Sequence, residues 1–369
     1  MAEATVRAEQ TEQGAGRGIR PGRGIRPGRG IRPGRGIRPG PRGARPTRPG
    51  RTLVIPLLIA GGLAIVFAVL LLTWANPLPV GEPGFWIIVQ SRATAVATIA
   101  LVATCQALAT VLFHTATGNR ILTPSILGFD ALYTLMQTAL VFVFGVAATQ
   151  VEGVGKIVVQ SLAMIAFASV LYGWLFSGRR QNLHVLLLVG VVLGVGFASV
   201  STFLQRMLTP SEFDILAARL FGSIGRGNPD VLPWAGLIVA GLAALAWTRR
   251  RSLDVLALGR DAATDLGLRY RREVVALLVV VAALISISTT MVGPMTFFGF
   301  LVATMTYQFV RVDDHGRTLP LAVLVAMATL LGAYFVLQHL FYAAGLVTII
   351  IEFVGGLAFL VVILKKGLR

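Results

Sequence analysis

Apolar runs of membrane-crossing length recur between Leu53 and Leu364, and this recurrence bounds the fold more tightly than any motif. A helix needs roughly 20 apolar residues to cross a bilayer. The pattern is met by ten segments: 53–74, 87–113, 126–147, 156–176, 184–207, 230–248, 273–291, 294–310, 319–341 and 346–364. Backbone in hydrocarbon must satisfy its own hydrogen bonds, so each segment is read as a helix. The expected fold is all-α and polytopic, with about ten transmembrane helices. Only 13% of the residues are charged, against about 25% in soluble domains. The seventh and eighth segments are parted only by "MVGPM", which also admits a helix followed by a broken or re-entrant one.

The net charge of +17 is unevenly placed, because residues 1–51 carry 13 Arg against 3 Glu. That stretch contains four head-to-tail copies of "GRGIRP" from Gly16 to Pro39. Gly and Pro at this density, without apolar periodicity, predict a disordered basic tail over 1–51 and a transmembrane domain over 52–369. Such a tail can hold RNA or anionic lipid by charge alone. No aromatic side chain interleaves the arginines to stack on bases, so membrane lipid is the expected contact and no nucleic acid is.

Lys and Arg favour cytoplasmic loops. With the N-terminus inside, 15 of the 20 basic residues beyond the tail fall on inner segments, and Arg92, Lys156, Arg206, Arg219 and Arg226 fall on outer ones. An even number of spans places both termini in the cytoplasm. The stretch "GNRILTPSILG" (118–128) then becomes a cytoplasmic turn between the second and third spans. Pro124 disfavours helix at Thr123. Asn119 and Thr123 can bond backbone groups there, Arg120 stays at the surface, and Gly128 closes the segment.

Chemistry of an enzymatic kind is not found in the sequence. "GVGKI" (153–157) lacks the first Gly and the Ser or Thr of a phosphate-binding loop. His114, His184, His315 and His339 sit on different helix ends with no metal-ligand spacing, and Cys105 is the single cysteine. No cofactor or metal is expected. Asp130 stands at a helix start, where the dipole favours a carboxylate. Glu352 lies within the last span, as a functional carboxylate or as a helix-end group facing water. These are too few for a proton-coupled transporter, so energy is expected from a partner ATPase.

The longest polar excursion between spans is 249–272, "RRRSLDVLALGRDAATDLGLRYRR". It reads as two short helices, capped by Ser252 and Asp261 and ended by Gly259 and Gly267. Leu256, Leu258, Ala262 and Leu266 give the hairpin small apolar faces. It can seat in a groove of a soluble subunit or lie on lipid headgroups.

Four segments in order resemble the permeases of ATP-binding-cassette importers for iron–siderophore complexes, a family that includes the cobalamin permease. "NRILTPSILG" (119–128) is similar to an Asn-Pro-Leu-x-x-Pro-x-x-Leu-Gly segment. "LALGRDAATDLGL" (256–268) is similar to a cytoplasmic coupling segment. "MVGPMTFFGFLVATM" (291–305) and "DDHGRTLP" (313–320) resemble two further family segments. The stretch 119–138 looks nearest the catecholate or petrobactin-type branch. Ala95, His114, Ala303 and Thr304 depart from the family pattern.

The resemblance implies a cobalamin-permease-like fold in the bacterial cytoplasmic membrane, without an ATPase site of its own. It implies alternating access, with cytoplasmic ATP-binding subunits, an extracytoplasmic siderophore-binding protein and a second permease, identical or related. Coupling is then expected at Leu258, Gly259, Arg260, Asp261, Ala262, Ala263, Leu266 and Gly267. The path is expected near Thr289, Thr290, Gly293, Pro294 and Phe297, and outer docking at Arg92, with Arg219 and Arg226 suggested by position alone. A cobalamin or haem permease of the same fold, an ion-coupled secondary transporter, and a membrane-anchored RNA-binding protein remain alternatives at this point.

Overall fold

The structure, a computed structural model, describes residues 51–367 apart from 75, 77, 80, 151–152, 178–182, 221–228, 311–313 and 342–346. The tail expected over 1–51 lies outside the described residues except for Arg51, the first residue of the first helix. The described residues are helical and contain no strand. In chain order the helices begin with α1 (Arg51–Thr73), α2 (Pro83–Thr117), α3 (Phe129–Phe144), α4 (Val154–Ser177) and α5 (Leu183–Gln205). They continue with α6 (Pro210–Leu220), α7 (Leu232–Thr248), α8 (Arg250–Leu256) and α9 (Arg260–Asp265). The last four are α10 (Tyr270–Val292), α11 (Phe298–Phe309), α12 (His315–His339) and α13 (Val347–Gly367).

Seven helices are long and apolar enough to cross a membrane: α1, α2, α3 with the turn after it, α4, α5, α10 and α12. The other three expected spans take different forms. α7 bends by 61° into α8, so the chain turns sharply at the start of the polar loop. α13 is apolar over Val347–Val361. The span expected at 294–310 is only the 12-residue α11. At 1.5 Å per residue it is about 18 Å long, short of the ~30 Å hydrocarbon core. Proline explains the loss. Pro294 lacks an N–H and forces the residue before it out of the helical region, and Gly293 takes a positive φ of 91° with ψ 179°, a conformation that favours glycine. Of the two forms open to "MVGPM", the broken one is realised.

α2, α10 and α12 form the centre of the bundle. Their apolar windows are 72%, 61% and 56% buried, against 17% for α1 and α5. α10 lies between α2 and α4, α1 packs on α12, and α3 packs on α5. Lipid tails are as apolar as leucine, so burial alone does not drive such helices together. Close packing does, helped by polar contacts worth about 0.6 kcal/mol each. Gln106 donates to Ser288 at 3.0 Å between α2 and α10. Thr138 and Ser201 pair at 2.9 Å between α3 and α5, and Ser161 and Thr290 at 3.2 Å between α4 and α10.

α6 was not expected from hydropathy, and its signature is local. Thr209-Pro210-Ser211-Glu212 has the spacing of a capping box, with proline at the first helical position. The Glu212 carboxylate accepts the Thr209 backbone N–H at 2.8 Å. Leu216 then turns inward against Val141 and Ala148.

Candidate functional site

Three features meet at one end of the bundle: the α8–α9 hairpin, the segment 118–128, and the start of α12. The hairpin is anchored by Leu253, Leu256 and Ala263, all buried. Its outer rim is the reverse. Leu258 and Leu266 are each 63% exposed, and Gly259, Arg260, Asp261 and Gly267 are exposed beside them, with Ala262 half-buried. The rim of the hairpin thus presents two exposed leucines set among charged residues. The caps differ from expectation. Arg249 and Gly259 take the two N-cap positions without side-chain bonds, and Ser252 and Asp261 lie inside the helices. The ending of α9 is as read. Leu268 N–H bonds the Ala263 carbonyl and Gly267 N–H that of Thr264, a Schellman motif that requires the left-handed φ of 87° at Gly267.

The segment 118–128 is not a surface turn throughout. Asn119 accepts the Ile121 N–H at 2.9 Å and is exposed with Arg120, as read. Arg120 lies over the Tyr307 ring at 5.0 Å. Beyond it Thr123, Pro124, Ser125 and Leu127 are buried. Thr123 precedes the 3-10 turn Pro124–Leu127 without a side-chain bond, contrary to expectation. Gly128 then sits at φ +89°, where an added Cβ would come within 3.2 Å of the Gly190 carbonyl and Gly194 Cα. Gly190 and Gly194 are spaced to give α5 a smooth groove, and the turn fills it. Helix α3 therefore starts inside the protein, not at its surface.

Its start meets the break between α10 and α11. Asp130 accepts the Thr296 hydroxyl at 2.7 Å. The next residue, Phe297, gives its backbone N–H to both oxygens of Glu352 on α13, at 3.2 Å each. An added Cβ on Gly355 would lie 2.7 Å from Phe297 Cβ, so α13 passes directly over the break. Phe297 and Phe300 both pack on Phe359. Glu352 caps backbone freed by Gly293–Pro294. The five residues expected along the path gather here. Thr290 bonds Ser161 and the Ser286 carbonyl. Thr289 is fully enclosed, its hydroxyl without a hydrogen-bond partner among the described residues.

The arginines expected to face a docking protein are not brought together. Arg92 donates to the carbonyls of Trp74 at 2.7 Å and Leu71 at 3.5 Å, fastening α2 to the end of α1. Arg219 donates to the Ala148 carbonyl, fastening α6 to the turn after α3. Arg226 lies outside the described residues.

Sequence reading missed the bonds at the start of α12. His315 gives its backbone N–H and Nδ1 to Asp254 Oδ1 at 2.8 and 2.7 Å. Its Nε2 meets Thr115 Oγ1 at 2.7 Å. His114, the neighbour of Thr115, meets Tyr307 at 3.0 Å and the Leu122 carbonyl at 2.8 Å. The histidines had been judged for metal spacing, whereas His114 and His315 each use two ring nitrogens to join separate elements.

The sequence model described as the FecCD transport family matches residues 56–365. The chain is 43% identical over 315 residues to the petrobactin import system permease protein FatC of Bacillus anthracis, covering 85% of this chain and 88% of that protein. It is 38% identical to the petrobactin import system permease protein YclO of Bacillus subtilis, over 75% and 88% of the two chains. The second B. anthracis petrobactin permease, FatD, is 25% identical over 84% of this chain and 91% of its own length. An inward-facing metal-chelate type ABC transporter superposes with a TM-score of 0.69 at 20% identity, covering 85% of this chain and 99% of that one. That likeness establishes the fold.

Proposed function

The chain belongs to the FecCD transport family, and we propose that it carries a ferric siderophore of petrobactin type into the cytoplasm as the membrane subunit of an ATP-driven importer. The observation that carries this reading is the 43% identity to a petrobactin permease along nearly the whole of both chains. The cobalamin and haem alternatives are disfavoured by it. The cobalamin permease of Klebsiella pneumoniae matches at 29% over only 43% of this chain.

In this reading the exposed Leu258 and Leu266 seat in a groove of the ATP-binding subunit, with Gly259, Arg260, Asp261, Ala262, Ala263 and Gly267 shaping the knob. ATP binding and hydrolysis in that partner swing the hairpin. The break at Gly293 and Pro294, with Thr289, Thr290 and Phe297, is the part of the pathway wall that yields. Backbone without helical bonds is tolerated at membrane depth only where protein or a cavity surrounds it, and Glu352 and Asp130 hold this stretch in register. The second permease is a related but different chain, because B. anthracis has two petrobactin permeases and this chain is similar to one far more than to the other. The outer rim around Arg92 and Arg219 receives a siderophore-binding protein.

The test is iron uptake by cells lacking this chain, offered ferric petrobactin, a ferric hydroxamate and cobalamin in turn. Selective loss of petrobactin uptake, restored by the full chain, supports the reading. Loss of cobalamin uptake instead, or of none, overturns it.

A further inference from the structure

We infer that Asp254, His315 and Thr115 form the mechanical link between the ATPase-docking hairpin and the transmembrane core, so that they set how much transport each ATP yields. The inference rests on the coupling role proposed above for α8–α9. Three helices far apart in sequence are joined by this one side-chain chain. Asp254 belongs to α8, His315 is the first residue of α12, and Thr115 lies in the last turn of α2. The links measure 2.7 Å from Asp254 to His315 and 2.7 Å from His315 to Thr115. His315 and Thr115 are buried, so water competes little for the bond between them, whereas the Asp254 side chain is part-exposed.

The geometry gives the ring no slack. Asp254 Oδ1 receives the His315 backbone N–H as well as Nδ1–H, which fixes both the helix start and the ring plane. With Nδ1 donating to a carboxylate, Nε2 meets the Thr115 hydroxyl, which also donates to the Val111 carbonyl of its own helix. A displacement of α8 is therefore felt at once by α12 and α2. From α2 it has a direct continuation. The next residue, His114, holds Tyr307 of α11 and Leu122 of the inward-running segment. Helix α11 starts just after Phe297 in the break, and the segment leads into α3, whose Asp130 accepts the Thr296 hydroxyl of the break.

Packing of Leu253, Leu256 and Ala263 anchors the hairpin, and the bonds add a directional connection beside it. A polar cavity of about 100 Å³ lies between the hairpin and the core, lined by Ala257, His114, Thr115, Tyr307, His315 and Thr318 among others. A void leaves the hairpin room to shift, while the bonds beside it transmit the shift.

Thr115→Val keeps the shape and removes the hydroxyl, Thr115→Ser restores it, and Asp254→Ala cuts the chain at its other end. The experiment uses the complete importer purified from its host, placed in liposomes with ferric petrobactin outside. ATP hydrolysed per iron delivered is the readout, with ATPase retention on the permease as control. Cutting the chain at either end predicts a rise of about tenfold in Thr115→Val and Asp254→Ala, with the ATPase retained and Thr115→Ser at the wild-type value. Wild-type ratios in both breaking variants overturn the link. So does a raised ratio that Thr115→Ser shares, which marks a packing effect. A wild-type importer that carries cobalamin but not ferric petrobactin overturns the substrate assignment and leaves the ratio to be read with cobalamin. A wild-type chain that never retains an ATPase overturns the coupling reading and the link with it.

Discussion

At the scale of single residues, the account depends on close approaches and on carbonyls that need partners. Gly128 carries a left-handed φ and touches the backbone of α5 at 3.2 Å. Gly128→Ala adds a methyl group to a packed contact and strains the backbone, at a cost of about 1–3 kcal/mol. Thermal unfolding in detergent should show a lowered midpoint, whereas Gly118→Ala, with open space around it, should show only the strain of its φ. Arg92 separates two roles. Its bonds to Trp74 and Leu71 predict that Arg92→Ala loosens the α1–α2 end, seen as faster amide exchange in the last turn of α1. If Arg92 also receives the binding protein, Arg92→Glu weakens that binding further than Arg92→Ala does. Equal binding by the two variants contradicts the docking role. Glu212 is held below the ordinary carboxylate value by the Thr209 N–H it accepts. Its cap on α6 is therefore in place above the ordinary carboxylate range and is lost as pH falls through the lowered value. Exchange at the first amides of α6 should quicken over that acid window and not in Glu212→Gln, where the cap no longer titrates.

At the scale of elements, the proposed mechanism assigns docking to the hairpin α8–α9 and yielding to the broken pair α10–α11. Leu258→Asp with Leu266→Asp places two charges where the knob must be desolvated, and each anchor of this kind is worth about 2 kcal/mol. The ATP-binding subunit should no longer co-purify, while the permease itself is made at normal levels. Much of this element structure was legible in the sequence. Gly267 ends α9 as its position suggested, and "MVGPM" marked the break because proline and glycine act locally. The path of 118–128 was not legible. Polar residues at its start are true of a surface turn, and what draws Thr123 to Gly128 inward is a groove made by Gly190 and Gly194, some sixty residues later in the chain. Nor was the start of α12, since a histidine that joins Asp254 to Thr115 carries no spacing that a reading along one strand of text can detect. Helix α6 could have been found from Thr209 and Glu212, had the cap been weighed above hydropathy.

At the scale of the whole molecule, the bundle is a transporter without a motor. Its centre, α2 with α10 and α12, is tightly enclosed, and its two carboxylates at the break are spent on Thr296 and Phe297. The proposed mechanism uses no residue of 1–50, so a chain lacking them should still insert and support uptake. The central claim is that movement through the bundle is driven by a partner's ATP and not by an ion gradient. The most direct measurement is ferric petrobactin accumulation in liposomes holding the complete importer, with ATP supplied to the cytoplasmic face or with an imposed proton or sodium gradient alone. The account predicts accumulation only with hydrolysable ATP, abolished by Leu258→Asp with Leu266→Asp. Accumulation driven by either gradient in the absence of ATP would contradict it.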